Sequence, residues 1–105
     1  MMDDIRQRFV PRFAELARGR IARGVEITKT KLRGQEALQL ARELHSLAGE
    51  AGLLGFSSII RLARQAEEAA TELHAERSPE RCDALGRALD ELSIAIDVIE
   101  ADASL

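Results

Sequence analysis

One histidine, His45, lies in a stretch whose composition suggests chemistry. The stretch is HSLAGEAGLLG, residues 45–55, and its glycines Gly49 and Gly52 follow the histidine by about one and two helical turns. Each glycine costs about 1 kcal/mol relative to alanine in a helix interior. A neutral imidazole carries one lone pair, which an exposed histidine can use as a nucleophile. The glycines therefore favour an exposed nucleophile with one flank kept clear.

The helix that carries His45 would place it at the rim of a buried face. With Leu44 at the centre of that face and about 100° per residue, His45 falls about 100° from the centre. Gly52 and Gly49 then lie within about 20° and 40° of His45 along the same edge. The two glycines leave this edge without side chains, so a large partner could approach the ring closely.

Glu67 falls at the corresponding rim of the next predicted helix. His45 comes ten residues before Gly55 and Glu67 comes twelve after it, which places them roughly 15 Å and 18 Å from the turn. In an antiparallel hairpin the two side chains would lie at similar height, and they meet if the rims face each other. A Glu67 carboxylate that accepts a hydrogen bond from the Nδ1 N–H would orient the imidazole and leave Nε2 free. Arg64, one turn away from Glu67, could contact an incoming phosphoryl group.

The apolar spacing along the whole chain predicts an all-α fold in a single domain, residues 1–105. We expect an antiparallel four-helix bundle with a short N-terminal lead-in helix. The lead-in covers about 3–10, and the main helices cover about 11–31, 35–53, 57–75 and 79–101. Pro11 suits the first turn of the first main helix, Gly34 suits a left-handed cap, and Ser78-Pro79-Glu80 is a typical helix start.

The composition excludes several function classes. The chain has 105 residues and a net charge of −3, which argues against nucleic-acid binding and against a polybasic membrane anchor. The lone Cys82 cannot form an internal disulfide, and no zinc-ligand spacing or Glu-x-x-His pairing is present. No signal peptide or membrane-length apolar run occurs. We therefore expect a cytoplasmic protein without a metal site, and a monomer at this size.

The same residues resemble the signature of histidine-containing phosphotransfer (Hpt) domains. That signature is a histidine, any residue, leucine, usually lysine, and glycine, with a further glycine ten residues after the histidine; His45, Leu47, Gly49 and Gly55 match it. The apolar spacing of the next helix also fits, with Ile59, Ala63, Ala66 and then Glu67. The resemblance is close over roughly residues 38–68, and the four-helix plan extends it over the chain.

This resemblance implies a phosphorelay intermediate. His45 would accept a phosphoryl group from the aspartate of a response-regulator receiver domain, or from a sensor histidine kinase, and would pass it to another receiver. Such a protein is a stoichiometric carrier rather than a turnover enzyme. It needs no cofactor of its own, because the Mg²⁺ and the aspartate pocket belong to the partner receiver.

The sequence departs from the family signature at Ala48, where lysine is usual. Arg64 and Arg42 are the candidate replacements for its charge. Arg64 is favoured, because helical side chains lean toward the helix N-terminus and Arg42 therefore leans away from His45. The departure leaves an alternative function open, a degenerate Hpt-like module that docks a receiver or kinase without carrying phosphate.

A docking surface is predicted beside His45. Leu38, Phe56 and Ile60 fall at or beyond the rims on the His45 or Glu67 side of their helices. If exposed, they form an apolar patch suited to a receiver. Leu38 and Phe56 could instead lie beneath the N-terminal helix or the turn.

Overall fold

The computed structural model describes residues 2–29 and 35–103, with side chains from residue 7 onward. This part of the chain forms four helices: α1 (Met2–Lys29), α2 (Gln35–Leu54), α3 (Ser57–Ala75) and α4 (Pro79–Ala103). The molecule is elongated, with extents of 45 × 19 × 17 Å. α2 packs against α1 and α3, and α4 packs against α3 and α1. The predicted all-α bundle is confirmed.

Ion pairs between helices show that neighbouring helices run antiparallel. Arg20 pairs with Glu50 at 2.8 Å, and three residues later Arg23 pairs with Glu43 at 3.0 Å. Arg18 likewise reaches α4, where it donates to Asp97 at 2.6 Å. Three arginines of α1 therefore link this helix to α2 and α4.

The predicted lead-in is not a separate helix, because α1 continues through Pro11. Proline lacks a backbone N–H, so α1 loses one internal hydrogen bond there. Val10, Phe13 and Ala14 on either side are buried, and their burial against the bundle holds the helix axis through the proline. Pro11 itself is exposed. The predicted Gly34 cap lies outside the described residues.

Apolar residues at helical spacing predict one buried face each for α2 and α3, and the structure confirms both faces residue by residue. They are formed by Ala37, Leu40, Ala41, Leu44, Leu47, Ala48 and Ala51 on α2 and by Ile59, Leu62, Ala63, Ala66, Ala70 and Leu73 on α3. About half of these side chains are alanines, which keep the separation of packed helices small. The rims of α2 and α3 are therefore brought close together, and these rims carry His45 and Glu67.

A glycine-based cap sets the register between α2 and α3. Gly55 has a φ of 77°, a left-handed conformation that glycine adopts without steric cost. Its N–H donates to the Gly52 carbonyl at 3.2 Å, and the Phe56 N–H donates to the Ala51 carbonyl at 2.9 Å. This is the Schellman pattern of helix termination. It lets α3 begin at Ser57, directly after the turn.

The predicted start of the last helix is confirmed. The Ser78 hydroxyl accepts the Arg81 N–H at 3.1 Å, and Pro79 occupies the first helical position, where no N–H is needed. The Arg81 guanidinium also donates to the Glu72 and Glu76 carbonyls at 3.0 Å each. It thereby satisfies carbonyl groups at the end of α3 and holds the short α3–α4 connection in place.

None of the helices within the described residues is long and apolar enough to cross a membrane.

Candidate functional site

His45 stands on the outer rim of α2. Its side chain is 77% exposed, whereas Leu44 and Leu47 beside it are fully buried. A Cβ added at Gly49 would have nothing within 4 Å. The ring is therefore open to solvent, and one turn further along α2 the helix backbone is bare.

Gly52 differs from Gly49 because a side chain of α3 lies beside it. A Cβ at Gly52 would lie 3.8 Å from the Ile60 Cδ1 atom, which is an ordinary contact distance. Ile60 is half-buried and packs against the core. The open space beside His45 is thus mainly at Gly49, while a Cβ at Gly52 would be in ordinary contact with Ile60.

The His45 imidazole contacts the Glu67 carboxylate across the α2–α3 rim. Nδ1 lies 3.1 Å from Oε2 and 3.3 Å from Oε1, so the two rims meet as the helix geometry predicts. An ionised carboxylate can only accept a hydrogen bond. Nδ1 is therefore the donor and carries the proton, which leaves the lone pair on Nε2, on the side of the ring away from Glu67. Glu67 is 29% exposed, so the contact is partly shielded from water.

The structure thus combines a helical bundle with an exposed histidine that contacts a carboxylate. The sequence predicts this arrangement. A family model of the Hpt domain matches residues 4–95, which is most of the chain. The chain belongs to the Hpt family. Members of this family carry out histidine phosphotransfer in phosphorelay signalling, where they interact with response regulators and kinases. No curated protein and no solved structure matched the chain.

The position that usually carries lysine in an Hpt domain belongs to the core in this chain. Ala48 is only 6% exposed. It lies on the α2 face that packs against α3, where its small size helps the close approach of the two helices. Any cation near His45 must therefore come from a different position.

Arg64 is the predicted source of this charge. Because α2 and α3 are antiparallel and His45 is opposite Glu67, the residue three before Glu67 is level with the residue three after His45. Arg64 is thus at the height of Ala48, next to the bare backbone at Gly49. It is exposed, and it makes no hydrogen bond or ion pair with any residue that the structure describes.

Arg42 lies one turn before His45 on α2 and is also exposed. Within the described residues it too has no ion-pair partner. Its side chain leans toward the N-terminus of α2, away from His45. The same lean carries the Arg64 side chain toward the N-terminus of α3, away from the level of His45, and the roles of both residues stay predictions.

The three predicted docking residues are partly buried and partly exposed, and their role in docking stays a prediction. Leu38, Phe56 and Ile60 are all half-buried. The Phe56 ring lies 5.8 Å from the Phe13 ring and packs against the core together with Ile60. These two side chains support the α2–α3 end of the bundle and offer a partner only their outer edges.

Sequence reasoning missed Leu53, which is 88% exposed. The helical spacing identifies it only as the end of the second main helix. Its spacing of eight residues from His45 and four from Gly49 could have identified it, because residues four apart form a continuous row on a helix surface.

Among the described residues, no group of three or more His, Cys, Asp or Glu side chains could hold a metal ion.

Proposed function

We propose that His45 is the phosphoacceptor of this Hpt domain and that it exchanges a phosphoryl group with the aspartate of receiver domains. A sensor histidine kinase is the other candidate donor. The main support is the 3.1 Å contact between Nδ1 and Glu67 on a ring that is 77% exposed. This contact orients the imidazole and leaves Nε2 accessible beside the open flank at Gly49.

The transfer needs no proton movement on this chain. The Nε2 lone pair attacks the phosphorus, an N–P bond forms, and the P–O bond to the receiver aspartate breaks. The aspartate carboxylate leaves with the electron pair. Nδ1 keeps its proton, so the positive charge that develops on the ring lies opposite the Glu67 carboxylate. Positioning and charge neutralisation supply most of the catalysis in such a transfer, and the receiver would bring the Mg²⁺.

The direct test mixes this protein with receivers that carry labelled aspartyl phosphate. We expect label on this chain that is lost in acid, as phosphohistidine is, and that moves on to a second receiver. A receiver that binds tightly but never labels the chain would contradict the proposal. That result would instead favour the alternative function, a module that docks a receiver without carrying phosphate, for which the buried Ala48 is the motivating observation.

Replacing Glu67 with alanine should slow transfer by about tenfold or more, because a hydrogen bond to a charged group is worth roughly 1.5–3 kcal/mol. Glu67→Gln keeps an acceptor oxygen and should lose less. Rates are measured by rapid quench at saturating phosphorylated receiver. Glu68→Ala, an exposed carboxylate on the same helix, is the matched control. Equal rates for Glu67→Ala and Glu68→Ala would remove Glu67 from the mechanism.

Replacing Arg64 with alanine should also slow transfer by about tenfold, since one charge-assisted contact to the phosphoryl oxygens is lost. Arg64→Lys should recover part of the rate, and Arg42→Ala should have a smaller effect. The control is Arg61→Ala, which removes the same charge from an exposed position one turn earlier on α3. If Arg61→Ala slows transfer as much as Arg64→Ala, the effect is one of net charge and the assigned contact is wrong.

A further inference from the structure

Leu53 is the most exposed of the large apolar side chains in the described part of the chain, at 88%. A single exposed leucine is common on protein surfaces and by itself means little. Leu53 is informative because of its position relative to His45. His45, Gly49 and Leu53 are four residues apart and therefore form one row along α2.

This row has a gap in the middle. His45 and Leu53 are separated by about 12 Å along the helix axis. Between them lies Gly49, where an added Cβ would have nothing within 4 Å. The surface of α2 therefore presents an imidazole, then bare backbone, then an exposed leucine.

We infer that the Gly49 gap and Leu53 form the docking determinant by which this Hpt domain selects its receivers, an inference that rests on the proposed function. A receiver segment would cross α2 over Gly49 and place an apolar side chain against Leu53. Its aspartyl phosphate would then lie at Nε2 of His45. Receivers without an apolar side chain at about this distance from the aspartate would bind poorly.

The charges beside the row identify a receiver as the occupant rather than a second copy of this chain. Arg42 and Arg64 flank His45 and are exposed, and neither is neutralised by a described residue. A second copy docked symmetrically through this face would bring the same two arginines, and like charges across an interface are unfavourable. An aspartyl phosphate is anionic and matches them.

The test measures transfer from labelled phosphoreceiver over a range of receiver concentrations. Leu53→Ala and Leu53→Asp should raise the receiver KM by about tenfold or more and leave the rate at saturation unchanged, because they weaken docking only. Gly49→Leu, which fills the gap, should also raise the receiver KM. Ile94→Ala on α4 is the matched control, since Ile94 is also strongly exposed, at 63%, and is remote from His45.

Phosphoramidate, a small donor that needs no docked protein, is used in parallel to report on His45 alone. Loss of its labelling in Leu53→Asp would show that Leu53 acts on the histidine or on the fold, and the docking inference would be overturned. An unchanged receiver KM in the Leu53 variants would overturn it as well, with the proposed function intact. Wild-type protein that no receiver can label would overturn the proposed function itself.

Discussion

Replacing His45 with glutamine is expected to reduce acid-labile labelling of this Hpt domain to background. Glutamine has similar length and polarity, but its amide nitrogen is not nucleophilic, so no N–P bond can form. The side chain at this position is 77% exposed, and surface substitutions of this kind usually change stability by less than about 0.5 kcal/mol. The loss of labelling can therefore be assigned to chemistry instead of unfolding.

His74→Gln is the matched control for this experiment. His74 is an exposed histidine on α3 and should label normally when changed. Thermal unfolding followed by circular dichroism would confirm that both variants fold, and a binding measurement with the receiver should show that His45→Gln still docks. Residual acid-labile label on the His45→Gln variant would place the phosphoacceptor elsewhere and refute the assignment.

The α2–α3 half of the molecule was predictable because apolar and polar positions are clearly separated along both helices. Alanine and leucine repeat at helical spacing, and polar or charged residues occupy most other positions. A helical wheel for each segment, centred on Leu44 in α2 and on Ala66 in α3, therefore identifies both buried faces. Counting from Gly55 then put His45 and Glu67 at similar height. The spacing could not decide which rims face each other, because that depends on the handedness of the bundle, and the 3.1 Å contact supplies this information.

The α1 half was less predictable because its structure depends on distant contacts. Pro11 is a strong local signal for a helix start, yet burial of Val10 and Phe13 against the bundle keeps α1 continuous. The helical spacing of apolar residues predicts that Leu16 faces inward, but it is 39% exposed. A helix with two glycines and a proline has a weak pattern, so the neighbours that it packs against decide which face is buried.

The site shows the same limit at the level of single residues. Gly49 and Gly52 look alike in the sequence, but only Gly49 has open space, because Ile60 from α3 lies beside Gly52. The lysine of the family signature would fit poorly at position 48, because the buried Ala48 packs where α2 approaches α3. If Arg64 supplies the charge, the cation that contacts the phosphoryl group lies on α3, whereas the lysine of the family signature lies on the same helix as the histidine. The orienting and charge-neutralising groups would then both depend on the register that the Gly55 cap sets.

Gly24→Leu is expected to lower the free energy of unfolding by about 2 kcal/mol or more, because it overfills a packed interior. A Cβ at Gly24 would lie 2.6 Å from the Leu89 Cδ1 atom and 3.1 Å from the Leu40 Cδ2 atom. Gly24 is therefore where α1 comes close to both α2 and α4. The methyl groups of Leu89 and Leu40 can rotate away from an alanine, but a whole leucine side chain must push α1 outward.

Gly86→Leu on α4 separates this packing effect from helix propensity. Nothing lies within 4 Å of a Cβ there, so leucine should stabilise the helix by up to about 1 kcal/mol. Urea unfolding followed by circular dichroism would measure both changes, and equal stability of the two variants would show that α1 is not seated against Leu40 and Leu89. Gly24 is on α1, away from the α2–α3 rim, so folded Gly24→Leu protein should still transfer phosphate at the wild-type rate. A lower rate per folded molecule would mean that the seating of α1 also controls the His45–Glu67 contact.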